Sequence, residues 1–164
     1  ILSSFPLHIT IISSPISHSQ TQLARLRIIP IIKKERVLEY VAIVSVLLLL
    51  QVFWFAFQVG QARVRHGVKA PAMSGPPEFE RANRAHQNTV EQLIVFLPAM
   101  WMFAYFGNPF VAAGCGAVFL VGRQIYRTSY VKDPSQRSAG FGIGALATGG
   151  VVIGPLVVAI RDLL

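Results

Sequence analysis

Charge is what this sequence has least of. Only 13% of its 164 residues are Asp, Glu, Lys or Arg, where a soluble domain carries roughly a quarter, and 53% are apolar. Such a chain cannot surround a core with a solvated shell, which excludes an ordinary soluble domain. Its length suits one domain. Acids are the scarcer sign, 7 against 15 Lys and Arg, leaving a formal net charge of +8. In a soluble protein that excess would suggest nucleic acid. Here the bases sit in short segments between long uncharged runs, a pattern of membrane topology and anion binding, so no nucleic-acid partner is read. Cysteine is nearly absent. The single Cys115 excludes an intrachain disulfide and a zinc cluster, and no metal site is read. Lying between Gly114 and Gly116 in an apolar run, it reads as a packing residue.

The uncharged runs define the architecture. Residues 40–62 and 138–160 each form 23 residues without a charge, enough to cross a hydrocarbon core of about 30 Å. Residues 92–122 form 31 more, interrupted by Gly107-Asn108-Pro109, where proline cannot continue a helix and glycine and asparagine favour a turn. Pro76-Pro77-Glu78 is a helix start, with proline in the first turn and Glu78 and Glu80 near the positive helix end. The expectation is an all-α, integral-membrane four-helix bundle with helices at about 38–62, 77–106, 109–131 and 138–162. Helices two and three then carry polar ends on one common side. On helix four, Gly140 and Gly144 share a face, as do Gly150 and Gly154, and each pair would admit a close neighbour.

The connections between helices one and two and between three and four hold the basic residues, among them Arg63, Arg65, Lys69, Arg81, Arg123, Arg127, Lys132 and Arg137. The connection between helices two and three has no charge. Positive-inside bias places the charged connections in the cytoplasm and both termini outside. Residues 1–36 depart from this order. They are rich in Ser, Ile and Pro without clear periodicity, and Lys33, Lys34 and Arg36 precede the first span. They are expected to be a disordered or non-native extension, with the working domain at 37–164.

The chemistry concentrates in two faces. At about 100° per residue, Arg81, Arg84, Asn88 and Glu91 share one side of helix two. Arginines at a membrane helix end can simply snorkel to head groups, which accounts for Arg81. Glu91 lies deeper, where an ionisable group is costly unless paired and points to function. His86 points away and by itself reads as a packing or interhelix hydrogen-bonding residue. On helix three, Arg123, Tyr126, Arg127 and Tyr130 follow i, i+3, i+4, i+7 spacing, with Arg137 just beyond. Interfacial aromatics and topology-setting arginines form such sets too. The combined inventory suits a ligand with carboxylates, an ammonium group and a weakly acidic centre.

These residues lie in three segments, GQARVRHGVKAP, GPPEFERANRAHQNTVE and GRQIYRTSYVKDPSQRS. In them, from about Val37 to the C-terminus, the chain resembles the membrane-associated proteins in eicosanoid and glutathione metabolism. That family, MAPEG, includes microsomal glutathione transferases and leukotriene C4 synthase. The resemblance implies a left-handed four-helix bundle assembled as a homotrimer, with glutathione held between neighbouring subunits near the cytosolic face. Arg63 and Arg84 would grip the glutathione carboxylates, Asn88 its peptide, and Glu91 its ammonium group. Arg123, Tyr126 and Tyr130 would line it. Arg137 matches the arginine that stabilises the thiolate. His86 stands where several relatives have glutamine and can donate one hydrogen bond. Gln92 replaces an aromatic residue of the leukotriene-forming relatives, and Val64 stands where some relatives carry a second arginine.

The implied function is membrane-bound glutathione transfer to lipophilic electrophiles, with glutathione-dependent peroxide reduction as a related activity. The alternative is a non-catalytic lipid- or glutathione-binding protein of the same fold. The implied setting is a bacterial inner membrane, with lipid and a lipophilic small molecule as further partners and the site facing the cytoplasm.

Overall fold

Long apolar runs with few breakers fold as helices because, without water, every backbone N–H and C=O must bond within its own segment. The computed structural model describes residues 18–164, with side chains from Leu38 onward. It contains α1 (His18–Arg65), α2 (Pro77–Phe106), α3 (Pro109–Lys132), a 3-10 turn (Pro134–Arg137) and α4 (Ser138–Leu163). Residues 34–164 form a compact unit separate from the segment that precedes them. In that segment the described backbone, residues 18–33, is helical. The helix begins at His18, and its part long and apolar enough to cross a membrane is Leu38–Arg65. Residues 18–29 read HSQTQLARLRII, and their Gln, Leu, Ala and Arg are good helix formers. The expectation for residues 1–17 lies outside the described residues.

Four segments are long and apolar enough to cross a membrane: Leu38–Arg65, Pro77–Phe106, Pro109–Lys132 and Pro134–Leu163. Each buries a narrow stripe. On α1 this is Val41, Leu48, Phe55, Val59 and Ala62; on α4 it is Gly140, Gly144, Ala147, Val151 and Pro155. The opposite faces are also apolar and lie exposed, for example Leu49, Leu50 and Phe53 on α1 and Leu146, Ile153 and Leu156 on α4. Apolar residues on both faces suit lipid rather than water as the surrounding solvent. The protein is an integral-membrane four-helix bundle.

The α2–α3 connection is a tight hairpin. Asn108 caps α3, its Oδ1 accepting from the backbone N–H groups of Phe110 at 2.9 Å and Val111 at 3.3 Å, with Pro109 at the first helical position. The core behind it contains Leu93, Phe96, Met100, Phe119 and Val151, with the Phe96 and Phe119 rings stacked at 4.0 Å. Ser45 and Trp101 join α1 to α2, the indole N–H donating to Ser45 Oγ at 3.0 Å.

Glycine sets the α3–α4 approach. A Cβ on Gly140 would run into the Tyr126 backbone, and one on Gly122 would meet the Gly144 nitrogen at 2.9 Å. The two backbones lie almost in contact, as small residues permit. Gly154 accommodates the Phe103 ring, whereas Gly150 meets only the Cys115 sulfur, at ordinary distance. Tyr126 is thereby placed beside the first turn of α4.

Candidate functional site

The polar half of α2 turns Arg84, Asn88 and Glu91 to one side, as spacings of four and three residues require. α3 meets that face with Arg123, Tyr126 and Tyr130. The 3-10 turn and α4 close a third wall. The result is a cavity of about 780 Å³ lined by these six residues, by Arg137, and by Gln92, Val95, Phe141, Ala145 and Thr148. That volume falls within the roughly 300–1,000 Å³ of small-molecule sites.

The wall nearest the core is held by buried hydrogen bonds. Arg123 is only 1% exposed. Its Nε and one terminal nitrogen donate to Thr89 Oγ1 at 3.2 and 2.8 Å, and its guanidinium carbon lies 4.1 Å from the Tyr126 ring centroid. Thr89 in turn donates to the Ala85 carbonyl at 2.8 Å, so its oxygen faces Arg123 as an acceptor. Among the described residues Arg123 has no carboxylate partner; the ion pair there is Arg161 with Asp162, at the far end of α4. A hydroxyl and an aromatic face hold the buried cation without neutralising it, so its charge is felt in the cavity.

Tyr126, 2% exposed, accepts at its hydroxyl from Asn88 Nδ2 at 2.6 Å and stacks on Tyr130 with ring centroids 5.4 Å apart. The aromatic pair and the amide form one continuous surface from α2 to α3. Glu91 lies about 21 Å along the α2 axis from Pro77, at 1.5 Å per residue. It forms no ion pair among the described residues. The cavity thus collects three guanidinium groups and one unmatched carboxylate.

Arg137 reaches this set through local turn chemistry. Asp133 accepts from the Ser135 backbone N–H at 2.9 Å and from Gln136 Nε2 at 3.2 Å, winding Pro134–Arg137 into the 3-10 turn. The Ser135 backbone hydrogen bond, followed by the Ser135 and Gln136 side chains, holds the Asp133 carboxyl below the ordinary carboxylate range.

Seven of the nine residues anticipated from the sequence therefore line one cavity. Arg63 and His86 do not. Arg63 donates to the Ala72 carbonyl at 2.8 Å and lies over the Phe79 ring, 4.9 Å from its centroid, bracing the loop before α2. His86 is half-buried on another flank of α2, since two residues on from Arg84 is about 200° around the helix. Sequence reasoning missed Thr89, although it is the one hydroxyl on the stripe Ala82, Ala85, Leu93, Phe96 that α2 buries. It also missed Val95, Phe141, Ala145 and Thr148, which resemble any membrane-helix residues until α4 is placed. Among the described residues no three His, Cys, Asp or Glu side chains gather as a metal site would require.

The chain is similar to proteins of known sequence. It is 39% identical over 115 residues to an uncharacterized protein of Synechocystis, covering 70% of this chain and 84% of that one. With human microsomal glutathione S-transferase 2 it shares 41% identity over 111 residues, 65% of this chain and 76% of the relative. With leukotriene C4 synthase of Cavia porcellus it shares 38% over 98 residues, 60% of this chain and 65% of the relative. Residues 41–157, spanning the bundle and every residue of the cavity, match the MAPEG family, and the chain belongs to it.

Proposed function

We propose that the protein binds glutathione in this cavity and transfers its sulfur to a lipophilic electrophile. The observation that carries the reading is the convergence in one cavity of Arg84, Arg123 and Arg137 with Glu91, which has no ion pair among the described residues. Glutathione has two carboxylates, one ammonium group and a thiol, and these groups match that inventory sign for sign. The names of the relatives, a glutathione S-transferase and leukotriene C4 synthase, support the same chemistry.

In this reading Arg84 and Arg123 hold carboxylate, Glu91 pairs with the ammonium group, and Asn88 and the two tyrosines fix the peptide. Arg137 faces the sulfur. A free thiol has a pKa near 8.5 and is mostly protonated at neutral pH; a nearby guanidinium favours the thiolate. One pKa unit corresponds to about 1.4 kcal/mol, within reach of one cation in a partly dry site. The thiol proton leaves to water. The thiolate sulfur then forms a bond to the electrophilic carbon as the carbon–leaving-group bond breaks, and the departing anion takes a proton or remains charged. Val95, Phe141 and Ala145 offer the acceptor an apolar wall.

The site is completed in a homotrimer, where Arg63 and His86 of a neighbouring subunit would approach this cavity. In this reading the polar end faces the cytoplasm of a bacterial inner membrane, which the positive charge of the connections favours.

The test is glutathione binding with thiolate absorbance in detergent-solubilised protein, beside Arg137→Ala. The wild type should bind glutathione and ionise more of it than the variant. Absence of binding sinks the reading. Binding with equal thiolate in both proteins leaves the non-catalytic alternative in its place.

A further inference from the structure

A second cavity, of about 460 Å³, adjoins the first. It is lined by Met73, Glu80, Arg81 and Gln87 and shares Arg84 and Tyr130 with its neighbour. We infer that this second cavity is an anteroom in which the peptide ligand is first captured before it passes between Arg84 and Tyr130 into the main cavity. The inference rests on the glutathione reading above.

A zwitterionic peptide with two carboxylates cannot approach through hydrocarbon, because an unpaired ion there costs several kcal/mol or more. It must arrive from the aqueous end. The main cavity runs from Arg84 and Tyr130 toward Val95, Phe141 and Ala145 on the apolar reaches of α2 and α4. The second cavity lies at the opposite end, among the first turns of α2 and Met73 of the preceding loop. Arg84 and Tyr130 are the wall common to both.

The charges of the anteroom suit capture. Arg81 and Arg84 are cationic, and Glu80 is the one acid lining it. Glu80 Oε1 accepts from the Gly75 backbone N–H at 3.0 Å, which ties this carboxylate to the loop. Arg81 uses one terminal nitrogen on the Lys132 carbonyl at 3.3 Å, bridging the start of α2 to the end of α3. Beside the Ser135 hydrogen bonds, it also helps hold the nearby Asp133 carboxyl low, and as a residue lining the cavity it presents a cation to an approaching anion. Arg81 lines the second cavity and not the first, so it acts on the ligand in transit and not on the ligand at rest. Charges placed this way alter association rate and its salt dependence more than final affinity.

Rapid-mixing measurement of glutathione association with the full-length, detergent-solubilised protein, across a series of ionic strengths, tests this. Arg81→Gln keeps a donor for the Lys132 carbonyl while removing the charge. It should lower kon about threefold or more and flatten its salt dependence, with koff falling in parallel and Kd within about twofold. Gln87→Trp, which fills the anteroom without touching the main cavity, should slow both rates together. Unchanged kon in Arg81→Gln, or a higher Kd arising only from koff, overturns the anteroom while leaving the glutathione site intact. A wild type that binds no glutathione overturns both.

Discussion

Arg123 holds a full charge at 1% exposure on the strength of one hydroxyl and one aromatic face. Removing the hydroxyl while keeping the shape, as in Thr89→Val, leaves the guanidinium short of its acceptor. The cost of an unmet buried hydrogen bond is about 1–3 kcal/mol, so thermal unfolding in detergent should fall by several degrees. Thr89→Ser should restore it, which a requirement for the methyl group alone would not allow. Glu91 makes a different prediction, because it has no ion pair to lose among the described residues. Glu91→Gln should leave unfolding unchanged while weakening glutathione binding about tenfold or more, the worth of a charge-assisted hydrogen bond of roughly 1.5–3 kcal/mol. Titration calorimetry and a melting curve on the same sample separate the two. A lower melting temperature without a change in affinity would make Glu91 structural.

At the scale of the element, the α3–α4 contact decides where Tyr126 and the first turns of α4 lie. Gly140→Ala places a methyl group against the Tyr126 backbone, which cannot yield as a flexible side chain does. The helices must part, at a cost of about 1–3 kcal/mol for overpacking, and the Tyr126–Asn88 hydrogen bond should be disturbed with them. Gly142→Ala on the same helix meets nothing within 4 Å and should be neutral for glutathione affinity. Equal affinity in both variants would show that this close approach does not set the site. The 3-10 turn carries a pH prediction. The Asp133 carboxyl titrates below its unfolded value of about 3.9, so the stability it contributes is present above that value and lost as pH falls through the lower folded one. Glutathione binding should therefore show no Asp133-dependent step between pH 5 and pH 8. Asp133→Ala, which removes the cap at every pH, should loosen the turn bearing Arg137 and lower thiolate formation.

At the scale of the whole molecule, the prediction is complementation between subunits. Arg84 lines the cavity of its own chain, while Arg63 braces the loop before α2, outside that cavity. If a neighbour supplies Arg63, protein carrying only Arg63→Ala and protein carrying only Arg84→Ala each have defective sites throughout. Co-assembled trimers of the two should recover part of the glutathione binding, because some sites then receive both arginines. No recovery in co-expressed, co-purified mixtures would confine each site to one chain, and a monomer in mild detergent would argue the same.

Much of this molecule was legible in its residues because the governing rules are local. A run of about 20 uncharged residues must cross or bury itself. Gly107-Asn108-Pro109 must break a helix, and residues three and four apart must share a face. Those rules alone yield the four spans, the hairpin, and the separate faces Arg84–Asn88–Glu91 and Arg123–Tyr126–Tyr130. They say nothing of which faces meet. The cavity exists because Gly140 and Gly122 let α4 approach α3 until Arg137, Phe141 and Ala145 stand opposite α2. Thr89 finds Arg123 34 positions along the chain, and that pairing depends on helix rotation and depth. The same packing leaves Arg63 and His86 outside, since the geometry of one helix cannot reveal what stands across from it. The sequence by itself determined the spans and the chemistry each helix carries; only the tertiary structure decided their meeting, because helix periodicity is set within one turn and helix contact by backbone distances between segments.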